Sequence, residues 1–473
     1  MMQNTLWIYI EKKMKSFNEI TEARDEDNNK QPYRLVVLVE RPKKIARDGT
    51  SAKLVSKAEK LGIECYNCRI NGAYIVREDD GKITIHNEGD DKGFELDEDT
   101  IVFIRGDVTK KDSYMDLISQ IERYGIPCNN TRECIEVCCD KFRTYLRLQE
   151  IGMNQPKTVL IPNDTPEAVD AAHEALDNKF PMVLKTLSGS KGVGVLLIET
   201  ERSLQSQISL IYKIDPYTDI LLQEYIESDY DVRCVIVNQE IVGAMKRNKI
   251  TDDFRSNASQ GATVELIEMT ELEKEECLKA AKGVNGQWVG VDYIPAKNRE
   301  KDSPYILEVN HSAGSKAISE AIEEDITKMV LKLYFDRDTW RKEPKQCGVL
   351  ESFIVDGQEM TGKLDTGNST SVCSLHAEDV EIKNKKVTWK LNGESHTKPL
   401  HRSVTLQKPA ETRPVVLMDI EFLNTVYKDT EVSLDSRGSI PLLINRDFMA
   451  RANVMINCSR KFMLTNKGKD ISD

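Results

Sequence analysis

The sequence has no apolar run near the roughly 18 residues that a membrane-crossing helix needs; its runs stop at stretches such as Ile101-Val-Phe-Ile104. A helical membrane anchor is therefore not expected. There is no basic segment ahead of an early apolar stretch and no small-residue cleavage site. The start, Met1-Met-Gln-Asn-Thr-Leu-Trp-Ile-Tyr-Ile10, thus makes a poor secretory signal. Positive charge is not in surplus either. The 66 Lys and Arg face 78 Asp and Glu, a formal net charge of -12, which argues against a general nucleic-acid surface. Repeats and low-complexity tracts are absent. What is present, 40% hydrophobic and 30% charged residues over a chain of 473, suits soluble globular domains of roughly 100–200 residues each. A cytoplasmic location is expected.

The 11 cysteines are odd in number. Cys65-x-x-Cys68 and Cys134-x-x-x-Cys138-Cys139 invite a zinc or redox reading, but no spaced histidine completes either set. Cys134 and Cys138 fall on one face of a predicted helix. Free, mostly buried thiols in a reducing compartment are the expectation.

Residues 1–31 form an N-terminal extension with no assigned role. Residues 32–130 read as a small open α/β sheet. Tyr33–Glu40 is a buried strand by its β-branched run, Thr50 or Ser51 caps a helix over 52–61, and Ile63–Tyr66 is the next strand. Hairpin material at 72–100, a buried strand at Ile101–Ile104 and a helix at 114–124 complete it. Residues 131–336 open with helices at 132–140 and 141–150 and then alternate strand and helix. Residues 337–347 are a polar linker. From 348 to 473 long helical periodicity disappears. Strands are predicted at 348–354, 360–364, 380–382, 386–391, 415–419 and 430–434, so this part is a separate all-β domain.

The chemistry-bearing residues of the middle region come in order. Phe180–Lys185 is a strand ending in lysine, and Ser188-Gly-Ser-Lys-Gly-Val-Gly-Val195 follows it into a second strand at 196–198. Three glycines between strands make a hairpin flap whose backbone can approach phosphates. The spacing is neither a P-loop nor a dinucleotide fingerprint, since a strand follows instead of a helix. Ile220–Ile226 reads as a strand breaking at Glu224, with an edge that can meet an adenine. A hairpin over 231–238 and 240–247 delivers Arg233, Lys246 and Arg247, and Asp253-Phe-Arg-Ser-Asn257 keeps Arg255 and Asn257 two apart. Asp292 on strand 289–294, with Glu308 and Asn310 on strand 304–310, makes an oxygen-ligand set suited to Mg²⁺.

As a set, these pieces, together with Cys139-Asp-Lys-Phe-Arg-Thr-Tyr-Leu146, Gln223-Glu-Tyr-Ile226 and Gly290-Val-Asp292, resemble the ATP-grasp superfamily and within it the RimK-like ligases. The resemblance covers about residues 32–330. It implies a pre-ATP-grasp α/β domain followed by an α+β ATP-grasp domain. It also implies a ligase joining a free amino acid such as glutamate to a peptide or protein through an acyl phosphate, with ATP and Mg²⁺ or Mn²⁺. By the resemblance, Lys141, Lys185, Gly189, Ser190, Lys191, Gly192, Gly194, Gln223, Glu224, Tyr225, Ile226 and Arg233 bind the nucleotide. Asp292, Glu308 and Asn310 hold the metal, Arg255 stabilises the transferring group, and Arg247, Asn257 and Ser312 face the substrate. The family's Asn-Ala-Ser-Pro-Gly tail becomes Asn310-His-Ser-Ala-Gly314; His311 is a departure, read as a loop position that tolerates change or one that tunes substrate contacts.

Leu364-Asp-Thr-Gly367 is a different signature. With Ile440–Met449, which carries Asn445 where glycine is usual, it resembles the retropepsin-like proteins once named ATP-dependent zinc proteases. That implies an all-β barrel presenting Asp365 as a catalytic carboxylate. A single such loop needs a second copy, so a homo-oligomer, at least a dimer through this domain, is implied. The alternative function is then an aspartic-type peptidase or peptide-binding module that trims the ligated tail. His376, His396 and His401 match no zinc spacing, and His376 is placed in a polar turn.

Overall fold

The computed structural model describes residues 33–40, 49–187, 194–249, 264–340, 344–367, 371–407, 410–423, 425–436 and 440–465. The chain divides into two compact units, Met1–Lys342 and Glu343–Asp473. No described helix is long and apolar enough to cross a membrane.

The first unit opens with β1 (Arg34–Val39), α1 (Thr50–Lys60) and β2 (Glu64–Arg69). A meander of β3 (Ala73–Arg77), β4 (Ile83–Asn87) and β5 (Phe94–Glu95) follows, then β6 (Thr100–Arg105), α2 (Asp112–Arg123) and β7 (Cys128–Asn129). Strands β2-β1-β6-β7 form one parallel sheet in that order. Alternation explains why β1 and β6 are apolar at nearly every position. Leu35, Val37, Ile101 and Phe103 enter one core, while Val36, Leu38, Val102 and Ile104 enter the core on the other face. Helix α1 lacks the side-chain cap expected from Thr50 or Ser51, because its N-cap is Gly49. The Thr50 hydroxyl is instead 3.1 Å from Ser315 Oγ and accepts from Ser315 N at 3.2 Å.

Helices α3 (Arg132–Cys139) and α4 (Lys141–Glu150) meet at Asp140, whose carboxylate accepts from Phe142 N and Arg143 N at 2.8 Å and starts α4. Next come β8 (Thr158–Ile161), α5 (Pro166–Ala175), β9 (Met182–Thr186), β10 (Val195–Ile198), α6 (Glu201–Ile214) and β11 (Ile220–Glu224). These strands make an antiparallel sheet ordered β10-β9-β11-β8. Its Met182, Leu184, Ile198, Ile220 and Leu222 pack with Val169, Ala172, Leu204 and Ile208 of the two helices.

The chain continues through β12 (Tyr230–Val237), β13 (Glu240–Asn248), β14 (Val264–Leu266), α7 (Glu271–Gly283), β15 (Trp288–Ile294), β16 (Tyr305–Asn310), α8 (Lys316–Ala321) and α9 (Ile326–Leu333). The antiparallel sheet β14-β13-β12-β15-β16 buries Val232, Cys234, Ile236, Val289, Val291 and Tyr293 against Cys277, Ala280 and Ala281 of α7. On its opposite face Val235, Val237, Met245 and Trp288 enter the core that Leu35 and Ile101 share, and charged residues occupy the remainder.

The second unit contains β17 (Lys345–Gly348), β18 (Leu350–Val355), β19 (Gln358–Leu364), β20 (Cys373–His376), β21 (Glu378–Lys383), β22 (Lys386–Leu391), β23 (Glu394–Pro399), β24 (Arg402–Gln407), β25 (Ala410–Phe422), β26 (Thr425–Asp435), β27 (Leu442–Ile444), α10 (Arg446–Arg451) and β28 (Val454–Asn457). Strands β18-β19-β27-β20-β26-β25 run in that order, and β25 pairs back to β18, which closes a six-stranded barrel. Phe353, Leu364, Val416, Ile420, Val432 and Phe448 are among its core. Glu351, fully buried, accepts from Gly348 N, Leu464 N, Thr465 N and Thr465 Oγ1 at 2.5–3.3 Å and ties both flanking segments to the barrel. The predicted polar turn at His376 is instead the end of β20, a strand paired in parallel with β26. Strands β17, β20, β23, β24, β27 and β28 were not predicted.

Candidate functional site

The charged face of the five-stranded sheet is set by register. Asp231 pairs with Arg247 across β12 and β13, Arg233 with Asp292 across β12 and β15, and Asp292 with Glu308 across β15 and β16. Asn310 lies opposite Gly290. A Cβ on Gly290 would stand 3.0 Å from Ala313 Cβ and 3.4 Å from Arg233 Cδ, so glycine leaves room for the arginine. Side chains at alternate positions share a face, which brings Asp231, Arg233, Arg247, Asp292, Glu308 and Asn310 together.

These groups are bonded to one another. Arg247 donates to Asp231 through Nε and Nη2 at 2.6 and 2.8 Å. Arg233 donates to Asp292 through Nε and Nη2 at 2.6 and 2.5 Å, and Arg247 Nη2 adds a third bond to Asp292 at 3.0 Å. Arg233 Nη2 is 3.9 Å from Glu308 Oε1, which accepts from Asn310 Nδ2 at 2.9 Å. Burial raises the Asp292 carboxyl, but the two guanidiniums outweigh it and bring the pKa down to about 2. Burial acts against the Arg247 cation, and Asp292 with Asp231 overcomes that and raises it.

A second group comes from the helix-covered sheet and α4. Lys185 and Gln223 lie on the face of β9 and β11 away from the helices, and Lys185 Nζ donates to Gln223 Oε1 at 2.7 Å. Gln223 Nε2 is held in turn by Thr158 Oγ1 at 2.8 Å. Lys141, first residue of α4, donates to the carbonyls of Thr186 and Leu187 at 3.2 Å. Burial lowers both lysines. Lys185 is brought to about 8, with Lys141 adding repulsion and Glu308 opposing the shift. Glu308 raises both lysines electrostatically, so the two groups act on one space.

The remaining predicted residues are placed as follows. Gly194 sits at a φ of +78° after the flap, where a Cβ would fall 2.2 Å from Thr186 Oγ1. Strand β11 is not a free edge: it pairs with β9 on one side and β8 on the other, so unpaired backbone begins only beyond Glu224, at Tyr225 and Ile226. The Tyr225 hydroxyl accepts from Lys249 Nζ at 3.1 Å. Ser312 Oγ accepts from Gly106 N at 3.0 Å. Gly189, Ser190, Lys191, Gly192, Arg255 and Asn257 lie outside the described residues. His311 is not an open loop position. It is 6% exposed, its Nε2 is 3.2 Å from Cys139 Sγ, and burial, with Arg105 nearby, lowers it to about 4. Burial pushes the Cys139 thiol up to about 12, and none of the 11 cysteines is in a disulfide.

Sequence reasoning gave no site role to Asp231, Thr158 or Arg105. Asp231 had a signal in Asp231-x-Arg233, which puts both on one strand face. Thr158 and Arg105 had none.

Asp292, Glu308 and Asn310 offer hard oxygen donors of the kind Mg²⁺ or Mn²⁺ takes. Together with Asp231 they set three carboxylates beside Arg233 and Arg247 on one sheet face. The donor set fits such an ion, with Asp292 shared between it and the arginines. Among the described residues no cluster of three or more His, Cys, Asp or Glu could hold a metal, so zinc at His376, His396 or His401 has no support.

In the second unit, Asp365 follows β19 directly. Its backbone N donates to Ile444 O, and its Oδ1 accepts from Gly367 N, both at 3.0 Å. Asn445, where glycine is usual, caps α10 by accepting from Phe448 N at 3.0 Å.

Residues 138–333 match the family model of the RimK-like ATP-grasp domain. The "Probable alpha-L-glutamate ligase" of Vibrio atlanticus (strain LGP32) is 31% identical over 220 residues, which is 46% of this chain and 69% of that protein. The "Probable alpha-L-glutamate ligase 2" of Shewanella sp. (strain MR-4) is 30% identical over 235 residues, 49% of this chain and 75% of that protein. Among solved structures, the RimK domain protein ATP-grasp from Sphaerobacter thermophilus DSM 20745 aligns over 63% of this chain and 98% of its own, at 16% identity and a TM-score of 0.47. The ATP-grasp ligase PsnB complexed with precursor peptide PsnA2 and AMPPNP aligns over 64% of this chain and 97% of its own, at 17% identity and a TM-score of 0.46. On the sequence matches, this chain belongs to the RimK-like ATP-grasp ligase family.

Proposed function

We propose that this protein is an ATP- and Mg²⁺-dependent carboxylate–amine ligase that adds glutamate, or a similar amino acid, to a carboxylate of a peptide or protein. The observation that carries the reading is the row Arg233–Asp292–Glu308 with Asn310 beside it, acting on the same space as Lys141 and Lys185. The name alpha-L-glutamate ligase of its relatives supports glutamate as the added residue.

When bound, ATP with Mg²⁺ would supply an activated phosphoryl group and neutralise charge as the acceptor carboxylate becomes an acyl phosphate. Asp292, Glu308 and Asn310 would hold the ion. Lys141 and Lys185 bind phosphate oxygens from an enclosed position where each positive charge counts for more than in water. Gln223 orients Lys185 and is itself oriented by Thr158. By the family resemblance, Glu224, Tyr225 and Ile226 would contact the base and Gly194 the phosphates, while Gly189, Ser190, Lys191, Gly192 and Arg255, outside the described residues, would help cover the polyphosphate and stabilise charge on the transferring group. By the same resemblance, Asn257 and Ser312 would meet the acceptor or the amine; Arg247, expected to do so as well, is instead buried and held by Asp231 and Asp292, which makes it a positioning residue of the charged row. Eleven cysteines, none in a disulfide, support a cytoplasmic setting. The experiment is mass spectrometry of an acceptor peptide library incubated with ATP, Mg²⁺ and each amino acid in turn. Addition of amino-acid mass with ADP release supports the reading. ATP consumption without any mass gain sinks it.

A second reading concerns residues 348–473. A closed barrel that presents Asp365-Thr-Gly367 at a strand end supports a retropepsin-like half-site. One carboxylate is poor at amide hydrolysis, so this site works only across a dimer, where it trims the tail that ligation adds. Loss of glutamate from a pre-ligated peptide, abolished by Asp365→Asn, tests it.

A further inference from the structure

Arg105 is the last residue of β6, at the carboxyl ends of a parallel sheet. The strand order reverses there, between β1 and β6, and open α/β sheets bind ligands at such a point. The residue is 4% exposed. Its guanidinium lies 4.1 Å from the centre of the Trp288 ring, and Nη2 donates to Ala313 O at 2.6 Å. The other two donors, Nε and Nη1, are buried and have no partner. Asp107, two residues on, is engaged by Thr109 Oγ1 at 3.2 Å and lies 3.5 Å from Lys110 Nζ. A buried cation with unmet donors is costly, and a guanidinium's fork matches a carboxylate.

A second unmet donor or acceptor lies beside it. His311 Nδ1 is also buried without a partner, while its Nε2 is set by Cys139 Sγ. The turn that carries His311 leads directly from Glu308 and Asn310 on β16, and Ala313 of the same turn touches Arg105. Gly106 and Gly314, which flank the pair, are exposed and carry no side chain to obstruct approach.

We infer that Arg105, with His311 Nδ1, is the recognition site for the α-carboxylate of the incoming amino acid. The inference rests on the ligase reading for the identity of the ligand. The α-carboxylate is two bonds from the attacking amine, and Ala313, whose carbonyl accepts from Arg105, lies three residues beyond Asn310 at the end of β16. Anchoring the carboxylate here delivers the amine to the carboxyl being activated at Glu308 and Asn310. Arg105 is thus a binding residue that selects amino acids over simple amines.

The test is calorimetric titration of the full chain, loaded with ADP and Mg²⁺, with L-glutamate, L-glutamine and L-isoglutamine. Glutamine keeps the α-carboxylate and isoglutamine has it as an amide. Wild type is expected to bind isoglutamine at least about 10-fold more weakly than glutamate, and glutamine with little loss. Arg105→Gln is expected to lose glutamate affinity by a similar factor, to stop distinguishing isoglutamine, and to keep its ADP affinity, while Arg105→Lys restores part of the loss. Equal binding of glutamate and isoglutamine by wild type, or no glutamate binding at all, overturns the inference. So does an Arg105→Gln protein that binds glutamate like wild type. Should that variant fail to fold, the wild-type comparison and Arg105→Lys decide. Carboxylate-dependent binding without any ligation product would sink the ligase reading and leave this site standing.

Discussion

Arg233 and Asp292 stand opposite each other on neighbouring strands and share two hydrogen bonds of 2.6 and 2.5 Å, while Arg247 holds the same carboxylate from the next strand. Removing the carboxylate leaves Arg233 without its paired partner and Arg247 with Asp231 alone. Asp292→Asn is therefore expected to destabilise the protein by about 3–5 kcal/mol, the usual cost of breaking a buried charge pair from one side. Urea unfolding checks this; a loss under about 1 kcal/mol would mean that the arginines find other partners.

With the nucleotide role proposed for it, Lys185 is expected to make nucleotide binding pH-dependent. Its pKa falls from an ordinary 10.5 to about 8 on folding, chiefly through burial. Between those values the unfolded chain holds more protons than the folded one, so this group makes stability rise with pH across that window. Polyphosphate beside the ammonium favours its charged form. At about pH 8.5 ADP binding is expected to take up a fraction of a proton, and Lys185→Met to abolish that uptake. Calorimetry in buffers of different ionisation enthalpy reads the proton count directly, and equal uptake in the variant would exclude Lys185 as its source.

Much of this site was legible in residue order, because strand alternation is enough to put Asp231 with Arg233 and Glu308 with Asn310. The pairing of Asp231 with Arg247 was not. It depends on the two-residue turn at Asn238 and Gln239, both at positive φ, and on an irregular register at Val235/Ile236. The buried strands β1 and β6 were legible through another signal, the continuous apolar run. It failed for β23, whose Glu394-Ser-His-Thr-Lys-Pro399 is polar because it packs chiefly through His396, stacked on Trp389 at 5.6 Å. Arg105 looked like an ordinary polar strand end, since its unmet donors arise only from the packing of Trp288 and Ala313, some 180 residues or more away in the chain.

Glu308 and Asp365 belong to different chemistries and their effects should separate. Glu308→Ala removes the proposed metal donor and the charge that supports Lys141 and Lys185. ADP release is expected to fall at least about 100-fold. Asp365→Asn is expected to leave ADP release within about 2-fold, a surface-loop change of no consequence to the ligase site. A coupled enzymatic assay of ADP decides. Persisting release from Glu308→Ala would refute the metal assignment, and a collapse in Asp365→Asn would show that the barrel's loop takes part in ligation.

Glu351 gives the barrel an internal tie that can be cut on its own. Its fully buried carboxylate accepts two bonds from Thr465 and one each from Gly348 and Leu464, so four donors depend on one side chain. Charged hydrogen bonds are worth about 1.5–3 kcal/mol each, and donors left buried cost a further share. Glu351→Ala is expected to destabilise the second unit by about 3–5 kcal/mol. Amide exchange in β18, β19 and β26 should accelerate accordingly, while that of β12 and β15, whose core includes none of these residues, should keep its rate. Uniform acceleration in both sets of strands would show that the two units unfold as one, and unchanged exchange in β18 would show that the flanking segments hold without the carboxylate.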